Sequence, residues 1–257
     1  VWHCPAFAKQ RKEFGSRCMQ AHTQGEFCMD ERFVQAHTTG LFPAWMHPSY
    51  QPQQPVASGS FDWIMRPVGG TVKARFYTDG SRMDDKRYSL VRFGWSFVAL
   101  DAEERIIAMA RGTPPAWVVD IPGAEAWALY QAGSHAEPGS TFRSDCKPCV
   151  DAISEGKTIS CSAKRPLARV NSLLHHIFDD TDKNAVVWMP AHTTEASIGV
   201  KKLSNGLTLT AIDRATNDRA DEQAKLAAHA VRAPPAIRQD CDAYSQNIED
   251  AGIWLGM

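Results

Sequence analysis

The chain holds no run of about 20 apolar residues, so no segment of it is long enough to cross a bilayer as a helix. Its opening residues, VWHCPAFAKQRKEF, lack the apolar core of about 7–15 residues that a signal peptide needs. These absences lead to the expectation of a soluble, intracellular protein, cytoplasmic or nuclear, with no membrane partner. An excess of charge is also missing: 28 Lys and Arg stand against 29 Asp and Glu, for a formal net charge of −1. Binding to a polyanion would then rest on local basic patches and metal ions, since the surface as a whole is not cationic. There is no disulfide framework either, because seven cysteines are an odd number and are scattered through the chain, which fits a reducing compartment. No internal repeat is visible. Val1 stands where an initiator methionine would, as expected of a fragment or a piece of a longer polyprotein.

What is present is enough apolar material, 44% of 257 residues, for one well-buried domain with a smaller one or a long extension. Residues 42–60, FPAWMHPSYQPQQPVASGS, have four prolines with Gly, Ser and Gln and no apolar period, which is linker chemistry. A boundary is therefore placed near Gly69, giving an extension and linker over 1–68, a domain over 69–232 and a tail over 233–257. From Thr71, Val72, Ala74, Phe76 and Thr78 alternate with Lys73, Arg75, Tyr77 and Asp79, the period of a strand, and DGS at 79–81 is read as the turn that ends it. Strands are expected at 92–100 and 105–111, completing an antiparallel meander. A helix follows, with Asp120 as cap, Pro122 in its first turn and Gly133 just past its end. A fourth strand over 141–145 leads to a helix from Lys147 and another over 166–178. A fifth strand over 185–189 precedes a last helix over 217–231, whose apolar stripe is Ala220, Ala224, Ala227, Ala228 and Val231. The order βββαβααβα predicts a mixed α/β fold with one five-stranded sheet, three strands antiparallel and then two parallel, flanked by helices.

Four carboxylates fall where such a sheet would gather them. Asp79 ends the first strand, Glu125 lies on the stripe Glu125, Ala128, Leu129 and Ala132 of the first helix, Asp145 ends the fourth strand, and Asp221 sits in the first turns of the last helix. Ligands collect at strand ends and helix starts along one edge of α/β sheets. A carboxylate among alanines and leucine is costly to bury without a cation, and two divalent ions would serve. Taken singly, each has a plainer reading: Asp79 as turn chemistry, Glu125 as an exposed helix flank, Asp145 as a helix cap, Asp221 as a solvated acid favoured by the helix dipole. Their joint order, strand Asp, helix Glu, strand Asp, helix Asp, is what favours a site.

FYTDGS (76–81), PGAEAWAL (122–129), FRSDCKPCVDAI (142–153), VVWMPAH (186–192) and NDRADEQAKLAA (217–228) together resemble the type 1 ribonuclease H family over about 160 residues. That resemblance implies a ribonuclease H-like fold and hydrolysis of the RNA strand of an RNA/DNA hybrid. Two Mg²⁺ ions, or Mn²⁺ in their place, would act in it, leaving 5′-phosphate and 3′-hydroxyl ends. By the same resemblance Asp79 would bridge both ions, Glu125 and Asp145 would serve the leaving-group side, and Asp221 would help hold the other ion. His192, in the tripeptide PAH, takes the place of a mobile histidine that assists proton transfer or product release. Nucleic-acid contacts are expected at Gly80, Ser81 and Lys147, and at Lys157, Lys164, Arg165 and Arg169 around a basic helix, for which a merely solvated face is the plain alternative. The chain departs from the family in a longer loop between His192 and Asp221, in VVDIPGA before Glu125 without the usual asparagines, and in Lys147 where glutamine is common.

Two groups of thiols remain. Cys4, Cys18, His22 and Cys28 are a possible mixed zinc set, but their spacing is not a standard one and reduced thiols are the expected state. Cys146 and Cys149 form a C-x₂-C half-site with no second pair and are expected to be helix-packing thiols. His175 and His176, mid-helix without acidic partners, receive no role. The stretches WHCPAFAKQR and TGLFPAW faintly resemble the segment between polymerase and ribonuclease H in retroelement polyproteins, so a covalently linked reverse transcriptase is an expected partner. The competing functions are a catalytically inactive nucleic-acid-binding module of the same fold and a DNA exonuclease or transposase of the same superfamily.

Overall fold

The computed structural model describes residues 59–84, 90–178, 185–243 and Gln246. The Cys4, Cys18, His22 and Cys28 set lies outside these residues. From Gly59 to Arg232 the described residues belong to one compact unit. Its strands are β1 (Asp62–Met65), β2 (Arg75–Met83), β3 (Arg92–Leu100), β4 (Ile106–Gly112), β5 (Thr141–Ser144) and β6 (Val186–Trp188). Its helices are α1 (Ile121–Ser134), α2 (Lys147–Glu155), α3 (Lys157–Ser160), α4 (Ala168–Ile177) and α5 (Ala211–Ala230), with a 3₁₀ turn at Glu195–Ser197. Among the described residues no helix is long and apolar enough to cross a membrane.

The strands form one mixed sheet in the order β1-β4-β3-β2-β5-β6. β2, β3 and β4 are antiparallel, and β5 and β6 add in parallel to β2, which is the expected arrangement. The sheet has six strands where five were expected. The sixth, β1, pairs antiparallel with β4 and lies in the stretch assigned to the extension. Aromatic packing holds it there: the Phe61 ring lies 5.3 Å from that of Trp95, and Trp63 meets Phe97 edge-on at 5.7 Å. The prolines drew the reading of this region, while the signal for a strand was FDWIM, two aromatics alternating with polar or smaller residues.

Both faces of the sheet are covered. Phe76, Trp95, Phe97 and Phe142 face α1 and α4 in the larger core, and Tyr77, Val98, Met109 and Met189 join Leu203, Leu209 and Ala220 on the α5 side. The alternation at 72–79 therefore sorts residues between two cores, and Phe76 and Tyr77 are both fully buried. β2 also runs straight through DGS: Gly80 pairs with Trp95 and Ser81 with Gly94, so this tripeptide is strand and not turn. Glycine is needed there because a Cβ on Gly80 would stand 2.6 Å from the backbone nitrogen of Glu125. Gly133 likewise lies inside the last turn of α1, where a Cβ would meet Cγ2 of Ile177 on α4 at 2.5 Å; it is a close-approach residue, not the terminator expected.

The start of α1 is as read, with Asp120 accepting from Gly123 N–H at 2.8 Å. α5 begins six residues earlier than expected. Thr210 caps it reciprocally with Asp213: the Asp213 N–H donates to Thr210 Oγ1 at 3.0 Å, and Thr210 N–H donates to Asp213 Oδ2 at 3.0 Å. Ala220, Ala224, Ala227 and Ala228 are buried as expected, but Val231 lies past the helix end and is exposed.

A buried carboxylate cluster as candidate active site

Asp79 in β2, Glu125 in α1 and Asp145 just after β5 offer one carboxylate oxygen each within 4.8 Å of one another. Strand and helix are brought to this point by the close approach at Gly80, whose backbone N–H also reaches the Glu125 carboxylate. Asp79 and Glu125 are buried, and Asp79 Oδ2 and Glu125 Oε2 have no hydrogen-bond partner. Burial, followed by the charges of Asp145 and Asp221, pushes the Asp79 carboxyl up to about 8. Glu125 is raised well above the usual carboxylate range, by burial first and then by Asp79 and Asp145. Asp145 is raised as well; burial outweighs a hydrogen bond from Asn217 and the proximity of His192, both of which favour its charged form. Three acids held this close without internal cations are costly as anions, since each desolvates and repels the next.

Such a set suits a divalent cation. Mg²⁺ lies about 2.0–2.1 Å from its oxygen ligands, so ligands of one ion stand up to roughly 4 Å apart, and the trio's oxygens, within 4.8 Å of one another, reach that spacing by drawing in by less than an ångström. The orphaned oxygens of Asp79 and Glu125 are acceptors that no protein donor satisfies, which is the fit expected of a cation site and not of a hydrogen-bonded core.

Asp221 stands outside this trio. Because α5 starts at Ala211, it lies halfway along the helix and not in its first turns, and Lys225 Nζ takes its carboxylate at 2.6 Å. It remains close enough to raise Asp79 and Asp145 through its charge. His192 is exposed on the loop after β6, with a left-handed backbone, φ 46°, and is near enough to act on Asp145. That loop is tied to α5 by Arg214 Nε, which donates to Thr193 O at 3.0 Å.

Three residues that pattern reading passed over support Asp145. Asn217 Nδ2 lies 3.4 Å from Asp145 Oδ2, a long hydrogen bond. Trp188 Nε1 donates to the backbone oxygen of Asp145 at 3.1 Å, and Ser144 Oγ accepts from the following N–H at 3.2 Å. Asp213, Asn217 and Asp221 recur every four residues, one face of a helix, and the Thr210-x-x-Asp213 box was the readable sign that this face starts at 211.

The basic candidates do not gather into one patch of free charge. Lys147 is paired with Asp151 at 2.7 Å, Arg165 with Glu155 at 3.1 Å, and the Arg169 guanidinium lies 4.1 Å from the centroid of the Trp117 ring. Lys157 and Lys164 are exposed and make no ion pair among the described residues. Of the β2 candidates, Ser81 is buried and Gly80 is occupied with the approach of α1. His175 shares a 2.7 Å hydrogen bond with Ser160, which ties α4 to α3.

Solved structures similar to this chain include the RNase H1 of the halophilic archaeon Halobacterium salinarum, at 16% identity over 61% of this chain and 97% of that one, with a TM-score of 0.40. The PFV RNase H domain is similar at 14% identity over 63% and 98%, TM-score 0.41. The N-terminal RNase H domain of Rv2228c from Mycobacterium tuberculosis, solved as a maltose-binding-protein fusion, is similar at 15% identity over 62% and 96%, TM-score 0.38. No protein-family model matches the chain. No curated protein matches it either.

Proposed function

We propose that this protein is a metal-dependent endonuclease that hydrolyses the RNA strand of RNA/DNA hybrids, leaving 5′-phosphate and 3′-hydroxyl ends. The observation that carries the reading is the trio of buried Asp79 and Glu125 with half-buried Asp145, each with a carboxylate oxygen within 4.8 Å of the others, and with Asp79 Oδ2 and Glu125 Oε2 unpartnered. Asp79, Glu125 and Asp145 would hold divalent cations, Mg²⁺ or Mn²⁺, with Asp221 joining on release from Lys225. Bound there, two such cations supply charge stabilisation for the entering and leaving oxygens of a phosphodiester. The chain's own residues do the rest. Asn217 and Trp188 fix Asp145 at its side chain and backbone. His192, exposed and near enough for its charge to act on Asp145, would take or return a proton at the edge of the site. Of the basic candidates, Lys157 and Lys164, which make no ion pair among the described residues, would meet phosphate first, and Lys147, Arg165 and Arg169 would contribute after exchanging their present partners.

The reading is tested with end-labelled RNA/DNA hybrid, double-stranded RNA and double-stranded DNA, each with Mg²⁺, Mn²⁺ or chelator. Internal cleavage of RNA in the hybrid alone, abolished by chelator, is expected, because recognition needs a 2′-hydroxyl on one strand and deoxy geometry on the other. Equal cutting of double-stranded DNA, or hybrid cutting in chelator, contradicts it.

A further inference from the structure

The residues after Asp145 are Cys146, Lys147, Pro148 and Cys149, and they open α2. Cys149 Sγ lies 3.0 Å from Cys146 Sγ and 3.4 Å from the backbone oxygen of Pro122 at the start of α1. Both cysteines are free thiols and both are buried, Cys149 almost completely and Cys146 at 9% exposure. Packing alone does not call for two sulfurs in contact, since alanine or valine fills such volume without a thiol. A disulfide needs sulfurs about 2.05 Å apart and Cβ atoms about 3.5–4.5 Å apart, closer than the ~5–6 Å of two helical residues three apart. Cys146 escapes that limit: it is the N-cap of α2, with a non-helical backbone (φ −77°, ψ 89°) and no side-chain cap bond. Its side chain makes no cap bond, so Cys146 can supply the remaining ångström by rotating against the bonds that hold its backbone, its N–H to Ser144 Oγ and its carbonyl from the Cys149 and Val150 N–H groups, while Cys149 stays in the helix.

The same backbone carries Asp145. Its carbonyl is held by Trp188 and the next N–H by Ser144, so rotation at Cys146 strains the two bonds that set the Asp145 carboxylate beside Asp79 and Glu125. We propose that Cys146 and Cys149 are a peroxide-oxidisable dithiol whose disulfide displaces Asp145 and turns off the carboxylate cluster. The oxidant is hydrogen peroxide, small enough to reach a thiol at this exposure. The Cys146 sulfur attacks one peroxide oxygen, the O–O bond breaks, and a sulfenic acid and one water result. The Cys149 sulfur then displaces the sulfenic hydroxyl, forming the S–S bond and releasing a second water as both thiol protons leave. Two thiols lose two electrons in all and one peroxide gains them, and a dithiol reductant reverses the change. The formation of the bond stands on the dithiol geometry; its effect on cleavage rests on the reading of Asp145 given above.

The test takes the full chain, fully reduced, treats it with peroxide, blocks remaining thiols by alkylation and maps tryptic peptides without reduction. The Lys147–Pro148 bond resists trypsin, so both cysteines stay on one peptide, Ser144 to Lys157. That peptide is expected to be lighter by two hydrogens and unalkylated, and to accept two alkyl groups after dithiothreitol. Full alkylation after peroxide, a sulfinic acid at Cys146 with Cys149 intact, or a bond from either to a third cysteine overturns the dithiol. Cys149→Ser, checked for cooperative melting, is expected to stop at a sulfenic acid that dimedone traps. In parallel, hybrid cleavage should fall roughly a hundredfold on oxidation and return with reductant, since a misplacement of about 1 Å near the reacting centre costs that much. The Cys146→Ser, Cys149→Ser double variant should be unaffected by the same treatment. A disulfide that leaves cleavage unchanged overturns the coupling and leaves the site reading standing. A reduced protein that neither cuts hybrid nor gains melting temperature with Mn²⁺ defeats the site reading and the coupling with it, while the peptide map still decides the dithiol.

Discussion

Asp213 is a carboxylate inside the fold, 1% exposed, and every oxygen it has is in use. Tyr77 donates to Oδ1 at 2.6 Å and Thr210 Oγ1 to Oδ2 at 2.7 Å. Arg143 Nε lies 3.2 Å from Oδ1, off the line a hydrogen bond needs, so its contribution is Coulombic. Burial works to raise the Asp213 carboxyl, but these partners outweigh it and hold it below the usual range, while burial and the bond to Asp213 push the Tyr77 hydroxyl up. Removing one member of a buried pair leaves the other charge uncompensated, so Asp213→Ala is expected to cost about 3–5 kcal/mol in urea unfolding. Tyr77→Phe should cost about 1.5–3 kcal/mol, the loss of one hydrogen bond to a charged group. An Asp213→Ala protein as stable as wild type would mean that Arg143 finds water and the network is not structural. Little of this was legible in the sequence: Arg143 sits in a short strand where alternation makes an arginine look solvent-facing, and only its register beside Tyr77 buries it.

Among elements, β1 and α5 hold the largest departures from the sequence reading. A chain starting at Gly69 would keep all five expected strands but lose Phe61 and Trp63 from the edge of the core. Two partly buried aromatics at about 1.5–3 kcal/mol each when fully buried give an expected loss of roughly 2–4 kcal/mol against a chain starting at Gly59, measured by thermal melting of both. Equal melting would make β1 an appendage and leave the boundary at Gly69 correct in energy. The meander, the parallel pair and α1 were readable from period and from the Asp120 cap, while the glycine cues misled at their ends: DGS is strand and Gly133 is inside α1. α5 was misplaced because Asn217 and Ala220 begin the obvious small-residue stripe, while the Thr210 box that starts the helix lies in a stretch with no apolar period. Three of the four acids were legible as a set, since strand ends and helix stripe converge by topology. That Lys225 would hold the fourth followed from an i,i+4 spacing whose side chains have other choices in solution. The basic stretch around α3 and α4 needs its own measurement. Lys157→Ala with Lys164→Ala should lower the slope of log affinity for hybrid against log salt by about 0.7–0.9 per lost phosphate contact. An unchanged slope in a binding-competent protein would leave both lysines as solvated surface.

For the molecule as a whole, the carboxylate cluster makes stability depend on pH and cation together. Asp79 and Glu125 hold protons more tightly folded than unfolded, Asp79 up to about 8 against a free value of about 3.9. Between those values the fold binds more protons than the unfolded chain, so cation-free stability declines as pH rises through that window. Asp213 acts oppositely at lower pH, its contribution being lost as pH falls through its depressed folded value. Melting temperature in chelator should therefore drop from about pH 5 to about pH 8, and Mn²⁺ should raise it more at pH 8 than at pH 5, because cations and protons compete for the same oxygens. A flat profile would mean that the acids are solvated. The most direct test of the central claim is single-turnover cleavage of RNA/DNA hybrid by Asp79→Asn, with hybrid affinity and melting measured on the same sample. The amide keeps the shape but removes the anionic charge at the centre of the trio, so cleavage should fall by several orders of magnitude while the protein stays folded and still binds hybrid. A folded, hybrid-binding Asp79→Asn protein that cuts near the wild-type rate would contradict it.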